Sequence, residues 1–240
     1  MKTLVEILRR SVCLLCFVDR SSLEKKVVGG ISHSLQERET QRKIIIRWLN
    51  EKEYYEHLTD IERKAIETPV VRKTNNEILY MHNDFECIEP MLWVIGLVPK
   101  LSDYNEFVLS NLHTPLKIGA NHTLSALAKR CKMRSVDQIE EKRELAMLWY
   151  WRCLEARNPS SGINDLLSAV TEIFGDRHRD LLRHYKGFDV KIGDFIVNGK
   201  PVSALRGEQL AKLEVISERR FYAFEWMCSE DDWESVSLIC

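Results

Sequence analysis

Two glutamates are the only charged side chains in the most apolar stretch of the chain. Glu86 and Glu89 lie in FECIEPMLWVIGLV, residues 85–98, for which we predict a buried helix. Desolvation raises the pKa of a carboxyl group inside a protein, and an acid of this kind can act as a general base. These two residues would therefore support proton abstraction, the chemistry of a hydrolase-like enzyme.

Two arginines lie on helix faces that we predict to be buried. At about 100° per residue, Arg220 falls in the apolar arc of a helix over 207–228, and Arg157 on the apolar face of a helix over 136–157. Arginine cannot lose its proton, so on a core face its guanidinium must reach solvent or meet an acceptor. We therefore expect one of the two glutamates to pair with one of these arginines in the interior. A structural ion pair is the favoured interpretation, and a catalytic cluster is the alternative.

No motif with a defined catalytic mechanism is present in the sequence, such as a Walker loop, a dinucleotide fingerprint or a nucleophile elbow. The histidines and cysteines lack the spacing of a metal site, so we expect neither a metal nor another cofactor. Cys13 and Cys16 lie in the apolar run VCLLCFV, which predicts buried thiols rather than a redox pair. Unpaired thiols indicate a reducing compartment, the cytoplasm.

A binding surface is predicted on the helix over 136–157. Trp151 and Leu148 point outward among glutamates on this helix, and a tryptophan in a charged surface is typical of an interface anchor. The alternative is that another element of the chain covers both side chains. Our first hypothesis is therefore a protein-binding or regulatory module without enzymatic activity, and the hydrolase-like enzyme is the alternative.

The charge balance disfavours a nucleic-acid partner. Lys plus Arg is 35 and Asp plus Glu is 36, whereas nucleic-acid binding depends on a basic patch that neutralises phosphates. A membrane partner is not expected either. The N-terminal apolar run is interrupted by Glu6 and two arginines, has no cleavage site, and is shorter than the ~20 residues that span a bilayer. The sequence does not indicate an oligomeric state.

The pattern of apolar residues predicts a mainly α fold, a single multi-helix globular domain over residues 1–240 with one small β-hairpin near 189–203. Asn198–Gly199 is a strong signal for the hairpin turn. Residues 1–35 form an N-terminal helix and a break that contains Gly29–Gly30. Helices are predicted over 3–20, 36–57, from about 60 onward, 85–98, 102–112, 121–131, 136–157, 162–174, from 176 and 207–228.

The C-terminal segment after the last helix is too apolar for a free tail. We expect Trp233, Val236, Leu238 and Ile239 to fold back near Trp226 or Tyr222, after a turn capped by Asp231 or Asp232. Trp233 could bury on the order of 200 Å². Its loss would then cost roughly 3–5 kcal/mol.

Three stretches of the sequence resemble the bacterial family of the domain of unknown function DUF4272, over about residues 36–240. In the first, from LTDIERKAIE to FECIEPMLWVIGLVPKL, the matching residues are Glu86, Leu92, Trp93 and Gly96. In the second, MRSVDQIEEKRELAMLWYWRCLEAR, they are Trp151, Cys153, Ala156 and Arg157. In the third, SERRFYAFEWMCSEDDWESV, they are Glu218, Arg219, Ala223, Trp226, Asp232, Trp233 and Val236.

The resemblance implies a bacterial, cytoplasmic, helical domain, and it carries no reaction. The sequence also departs from the family pattern. Asn83 stands where the pattern usually has Trp, Leu148 where it tends to have a basic residue, and Glu225 where Asn is common. An active site that used those three positions would be altered in this chain.

Overall fold

The fold is mainly α-helical, as predicted, with short antiparallel strands. The computed structural model describes residues 1–25, 27–28, 31–108, 111–116, 118, 123–158 and 165–238. The α-helices are α1 (Leu4–Ser22), α2 (Leu35–Glu51), α3 (Asp60–Glu67), α4 (Asn75–Asn83), α5 (Phe85–Val94), α6 (His113–Leu116), α7 (Leu124–Ala128), α8 (Val136–Arg157), α9 (Leu166–Phe174), α10 (Asp176–His184) and α11 (Gly207–Cys228). The strands are β1 (Val27–Val28), β2 (Ile31–Ser32), β3 (Phe188–Asp189), β4 (Asp194–Val197) and β5 (Lys200–Pro201).

The chain divides into two compact units, and both are discontinuous in sequence. The first unit comprises Met1–Leu101, Val108–Arg134 and Trp226–Val236. The second unit comprises Ser102–Phe107, Ser135–Glu225 and Ser237–Cys240. The organisation of the whole chain as one domain stays a prediction.

Helix α1 is the centre of the first unit. A capping box between Thr3 and Glu6 starts the helix, and its side chains are buried over most of its length. It packs against α5, α4, α7 and α3. Cys13 and Cys16 are buried within it, as predicted, and burial raises the pKa of the Cys13 thiol to about 11. These two thiols are therefore core side chains.

Several helix boundaries differ from the predictions. Helix α5 ends at Val94, four residues earlier than expected, because Gly96 has φ +75° and turns the chain. The described residues of the predicted helix 102–112 are not helical before α6 begins at His113. Helix α4 was missed, although a capping box between Thr74 and Glu77 marks its start.

The second unit contains α8 and all but the last three residues of α11, the two longest helices among the described residues, and both have the predicted boundaries. It also contains a three-stranded antiparallel sheet in the order β3-β4-β5. Val197 pairs with Lys200 across the turn, and Asn198 and Gly199 both have positive φ, 50° and 76°. These angles are those of the two-residue hairpin that the Asn-Gly pair predicts.

The strands β1 and β2 pair with each other in antiparallel fashion, at Val27↔Ser32 and Val28↔Ile31. The predicted break at Gly29–Gly30 lies outside the described residues, as does Ile239. In the described part of the chain, no helix combines the length and the apolar character needed to cross a bilayer.

Candidate functional site

Glu86 and Glu89 are buried in α5 of the first unit, each only 1% exposed. The Oε1 atom of Glu86 accepts a hydrogen bond from the backbone N–H of Val108 at 2.6 Å. A buried carboxylate that binds a backbone amide holds the two chain segments together. This visible contact of Glu86 is therefore structural.

Arg157 is not an interior arginine, and this part of the prediction is wrong. Its side chain is 65% exposed, and Nη1 forms an ion pair with Glu214 at 2.8 Å. Arg157 is the last residue of α8. Helical periodicity gives the direction of a side chain but not whether the packed core extends to the end of the helix.

Arg220 is buried, as its place in the apolar arc of α11 predicted. Its guanidinium Nη1 donates to the backbone carbonyls of Ser102 and Asp103, at 2.7 and 3.2 Å. The guanidinium carbon also lies 4.9 Å from the centroid of the Tyr104 ring. Arg220 therefore fixes the segment 102–106 within the second unit. Its predicted pairing with Glu86 or Glu89 stays a prediction.

Trp151 and Leu148 are buried, and the prediction that they form an exposed binding surface is wrong. Trp151 is 7% exposed and Leu148 is 0% exposed. The ring of Trp151 packs edge-on against Phe174 of α9, with 5.3 Å between the centroids. Because α8 is buried on more than one side, the glutamates that flank these residues do not mark a solvent-facing surface.

Other arginines share a structural role in the first unit: Arg20, Arg38 and Arg42 are buried, and Arg134 is partly exposed. Each donates hydrogen bonds to carbonyl groups at the C-terminal end of a helix, where these groups lack intrahelical partners and the helix dipole is negative. The bonds run from Arg38 to Leu23, from Arg42 to Ile66 and Glu67, from Arg20 to Thr68, and from Arg134 to Trp93. The arginines thus position helices.

A buried ion pair lies in the second unit. Arg152 binds both carboxylate oxygens of Asp194, at 2.9 and 2.8 Å. The same carboxylate accepts from the backbone N–H groups of Phe195 and Ser203. Burial alone would raise the pKa of Asp194, but the hydrogen bonds from Arg152 and Ser203 outweigh it, and the net shift is downward. Asp194 is therefore held as a satisfied anion rather than as a proton acceptor.

The first unit contains a cleft of about 340 Å³, which we call the tryptophan cleft. The start of α1, residues 56–59 and the segment 226–234 form its walls. The basic and aromatic residues of its lining are Lys2, Arg9, Arg10, His57, Trp226 and Trp233. Trp233 folds back onto Trp226 as predicted, with 5.4 Å between the ring centroids. Trp233 is only half-buried, so it does not belong to the core.

Arg10 lies at the base of the tryptophan cleft. It is buried and forms an ion pair with Glu62. Its guanidinium carbon lies 5.1 Å from the centroid of the Trp233 ring, and its Nε atom has no hydrogen-bond partner among the described residues. Burial lowers the pKa of Arg10. The guanidinium still remains charged, because arginine keeps its proton in proteins.

Charges of both signs surround the mouth of the tryptophan cleft. Lys2 Nζ lies 5.6 Å from the centroid of the Trp226 ring and donates to the carbonyl of Glu230 at 3.0 Å. Burial lowers the pKa of His57, the charge of Arg9 lowers it further, and the nearby carboxylate of Glu56 offsets only part of this shift. The carboxylates of the lining are Glu6, Glu56, Asp232 and Glu234.

The second unit contains a separate cleft of about 350 Å³, which we call the lysine cleft. Its polar lining comes from the segment 104–105, the hairpin turn between β4 and β5, and the first turns of α11. These polar residues are Tyr104, Asn105, Asn198, Lys200, Gln209 and Lys212.

Neither cleft was predicted from the sequence. The tryptophan cleft joins segments more than 200 positions apart, and the lysine cleft joins segments about 100 positions apart. Local periodicity carries no signal for such long-range contacts. The fold-back of Trp233 onto Trp226 is the one contact of either cleft that the sequence predicted.

No group of three or more His, Cys, Asp or Glu side chains within the described residues is placed to hold a metal ion. The cysteines in this part of the chain, six in number, are free thiols.

The comparisons with known proteins give one match. A family model with the description "Domain of unknown function (DUF4272)" matches residues 1–181 of the 240 residues. The first two stretches of the resemblance lie inside this match, and the third, which begins at Ser217, lies beyond it. Among curated proteins and among solved structures, none matches the chain.

Proposed function

The chain belongs to the DUF4272 family, and on that premise we propose that it is a protein-binding or regulatory module without enzymatic activity. The observation that carries this proposal is the tryptophan cleft. It presents a half-buried tryptophan beside two arginines in a concave surface. Tryptophan and arginine are the residue types most enriched at binding hot spots, and such residues act in pockets that exclude water.

The cleft is arranged in advance for binding. Trp226 and Arg10 hold the ring of Trp233 from two directions, so a partner would lose little conformational entropy on the protein side. Charges of both signs at the mouth suit a polypeptide, which also carries both, better than a nucleic acid or an anionic membrane. The net charge of −1 agrees with this choice.

The visible contacts of the buried charges support a structural role. Glu86 binds the backbone of Val108, and Arg220 binds the carbonyls of Ser102 and Asp103. A general base must come within hydrogen-bond reach of its substrate, which is difficult for a carboxylate that is almost fully buried. We therefore do not favour the hydrolase-like alternative, in which Glu86 or Glu89 is the base.

We place this function in the reducing cytoplasm of a bacterium. The free thiols support this location, since Cys13 and Cys16 are core side chains and no disulfide is needed to hold α1. The bacterial origin follows from the resemblance described above.

The test is affinity capture from the native host, followed by calorimetry with the purified partner. We expect one protein to bind the full chain, and Trp233→Ala to weaken its binding by about 30-fold or more, the loss of ~2 kcal/mol typical of a hot spot. Leu79→Ala is the control, because Leu79 is 58% exposed on α4 and does not line the cleft. Equal binding by a folded Trp233→Ala variant, or no partner in any capture, would contradict the proposal.

A further inference from the structure

We propose that the lysine cleft of the second unit binds a small organic anion, a carboxylate or phosphate group carried on a flat apolar body. This site is distinct from the tryptophan cleft and does not depend on the proposed protein-binding function. Four properties of the cleft lead to this assignment: its charge, its apolar floor, its amide groups and its rigidity.

The charged side chains that line the cleft are both cationic. Lys200 begins β5, and Lys212 lies on α11. Neither lysine forms an ion pair with a residue in the described part of the chain, and no described carboxylate lines the cleft. Lys212 Nζ is held 5.1 Å from the centroid of the Phe107 ring. Two ammonium groups without a counter-charge create a positive potential that an anion would neutralise.

The floor of the cleft is apolar. Val197, Leu205 and Leu213 line it, and all three are otherwise buried in the second unit. Tyr104 also lines the cleft. A volume of about 350 Å³ lies at the low end of the range for small-molecule pockets, which are mostly apolar with a few polar groups that orient the ligand. The ligand should therefore be small, with an apolar or aromatic part that faces this floor.

Three side-chain amides complete the lining, those of Asn105, Asn198 and Gln209. An amide NH₂ group donates two hydrogen bonds, and carboxylate and phosphate oxygens accept them. Lysines supply the charge for such an anion as point donors rather than as a bidentate fork. The combination of ammonium and amide donors therefore indicates an anionic oxygen group near the mouth of the cleft.

The walls of the cleft are fixed without a ligand. The ring of Tyr104 stacks on Trp149 at 4.8 Å, and Trp149 stacks on Phe195 at 4.0 Å. Arg220 donates hydrogen bonds to backbone carbonyl groups of the segment 102–106, and these bonds fix the positions of Tyr104 and Asn105. Arg220 is therefore a positioning residue for this site. A preorganised pocket of this kind loses little entropy when a ligand binds.

The experiment is an NMR titration of the full chain with four probes: phenyl phosphate, 3-phenylpropionate, inorganic phosphate and 3-phenylpropanol. We expect at least one of the two aromatic anions to shift the amide signals of residues 104–105, 198–200 and 209–213. Inorganic phosphate and the neutral alcohol should each bind at least ten times more weakly. The stronger of the two aromatic anions shows whether phosphate or carboxylate is preferred.

A double variant, Lys200→Gln with Lys212→Gln, should weaken binding of the aromatic anion at least about tenfold, since it removes both charged hydrogen-bond donors of the cleft. The matched control is Lys186→Gln with Lys191→Gln, which removes two lysines of the same unit outside the cleft. The control should bind like the unmodified chain. No binding of either aromatic anion, binding equal to that of inorganic phosphate, or unchanged affinity in the cleft variant would each overturn the proposal.

Discussion

Arg152 and Arg157 lie on the same helix, α8, and each forms an ion pair with an N–O distance of 2.8 Å. The pair of Arg152 with Asp194 is buried, whereas Arg157 extends into solvent. Desolvation makes a buried charge costly once its partner is removed, and solvent screens an exposed pair. The two arginines should therefore differ in their contribution to stability although the N–O distances of their ion pairs are equal.

We predict that Arg152→Met lowers the free energy of unfolding by about 3–5 kcal/mol, because Asp194 is left as a buried charge without its counter-ion. The same substitution five residues further along the helix, Arg157→Met, should cost less than about 1 kcal/mol. Urea unfolding followed by circular dichroism measures both. Equal losses in the two variants would show that Asp194 is satisfied by its backbone hydrogen bonds alone.

His113 provides a pH-dependent contact in the first unit. Its Nε2 atom lies 2.8 Å from a carboxylate oxygen of Asp19, and this hydrogen bond raises the pKa of His113 above 6.5. A folded-state pKa above the unfolded one means that the contact stabilises fully below about pH 6.5 and is lost as pH rises through the folded pKa. Asp19→Asn should therefore return the pKa of His113 toward its ordinary value.

An NMR titration of the His113 ring protons measures this shift directly. The stability loss caused by His113→Gln should also be larger at about pH 6 than at about pH 8.5. It should remain small at both, since the two side chains are partly exposed and solvent screens the pair. An unchanged His113 titration curve in Asp19→Asn would contradict the assignment.

Arg220 and Trp151 show how far the burial and the contacts of a single side chain can be predicted from the sequence. The burial of Arg220 was predictable, because it lies within an apolar arc that no exposed helix would display. Its partners were not, since they are backbone carbonyls more than 100 positions away. Trp151 was misplaced because its neighbouring glutamates suggested solvent, whereas Phe174 of α9 covers it. The sequence thus indicates the direction in which a helical side chain points, but it does not indicate which residue packs against that side chain.

At the end of α5, the need for one residue type can be traced directly to the contacts around it. The guanidinium of Arg134 donates to the carbonyl of Trp93 at 2.8 Å and stacks over the Trp93 ring at 4.3 Å. The backbone of Lys132 donates to Ile95 at 2.9 Å. Gly96 lies between these contacts with φ +75°, and a Cβ there would be 2.7 Å from the carbonyl oxygen of Lys132. Both the backbone angle and the space require glycine.

Gly96→Ala should therefore destabilise the chain more than an alanine at another glycine with the same backbone angle. Gly199, with φ +76° and no atom within 4 Å of the position that a Cβ would take, is the matched control. We expect Gly199→Ala to cost about 1 kcal/mol for the backbone angle alone. Gly96→Ala should cost about 3 kcal/mol, because the Lys132 backbone must also move. Urea unfolding would contradict this interpretation if the two losses were equal.

For helices and strands, the correct predictions came from patterns among residues close together in the sequence. The Asn198–Gly199 turn predicted the hairpin correctly, and the start of α8 was predicted at Val136, where a capping box between Ser135 and Gln138 is observed. The end of α5 was predicted wrongly because the positive φ of Gly96, which turns the chain there, accompanies the approach of residues 132–134, and that approach is a long-range contact. The two clefts were beyond prediction for the same reason.

Residues near the start of α1 and residues of the segment 226–236 contact each other within the first unit. The backbone N–H of Lys2 donates to the carbonyl of Met227 at 2.8 Å, and its Nζ donates to Glu230. Trp233 then packs against Trp226 and over Arg10. The last residues of α11 and the segment after it thus complete a unit that is otherwise built from the first 134 residues.

Removal of residues 229–240 should therefore destabilise the whole chain, although less than a fully buried tryptophan would imply. Because Trp233 is half-buried, we lower the expected cost from roughly 3–5 to about 2 kcal/mol, a fall in Tm of ~4–8 °C for a chain of this size. Trp233→Ala should reproduce most of this fall, since the tail's main side-chain contacts are those of Trp233. Glu218→Gln, a partly exposed change on α11, should leave Tm nearly unchanged. Thermal unfolding of the three variants is the measurement. If the truncated chain has the same Tm as the full-length protein, the tail contributes nothing to the stability of the first unit.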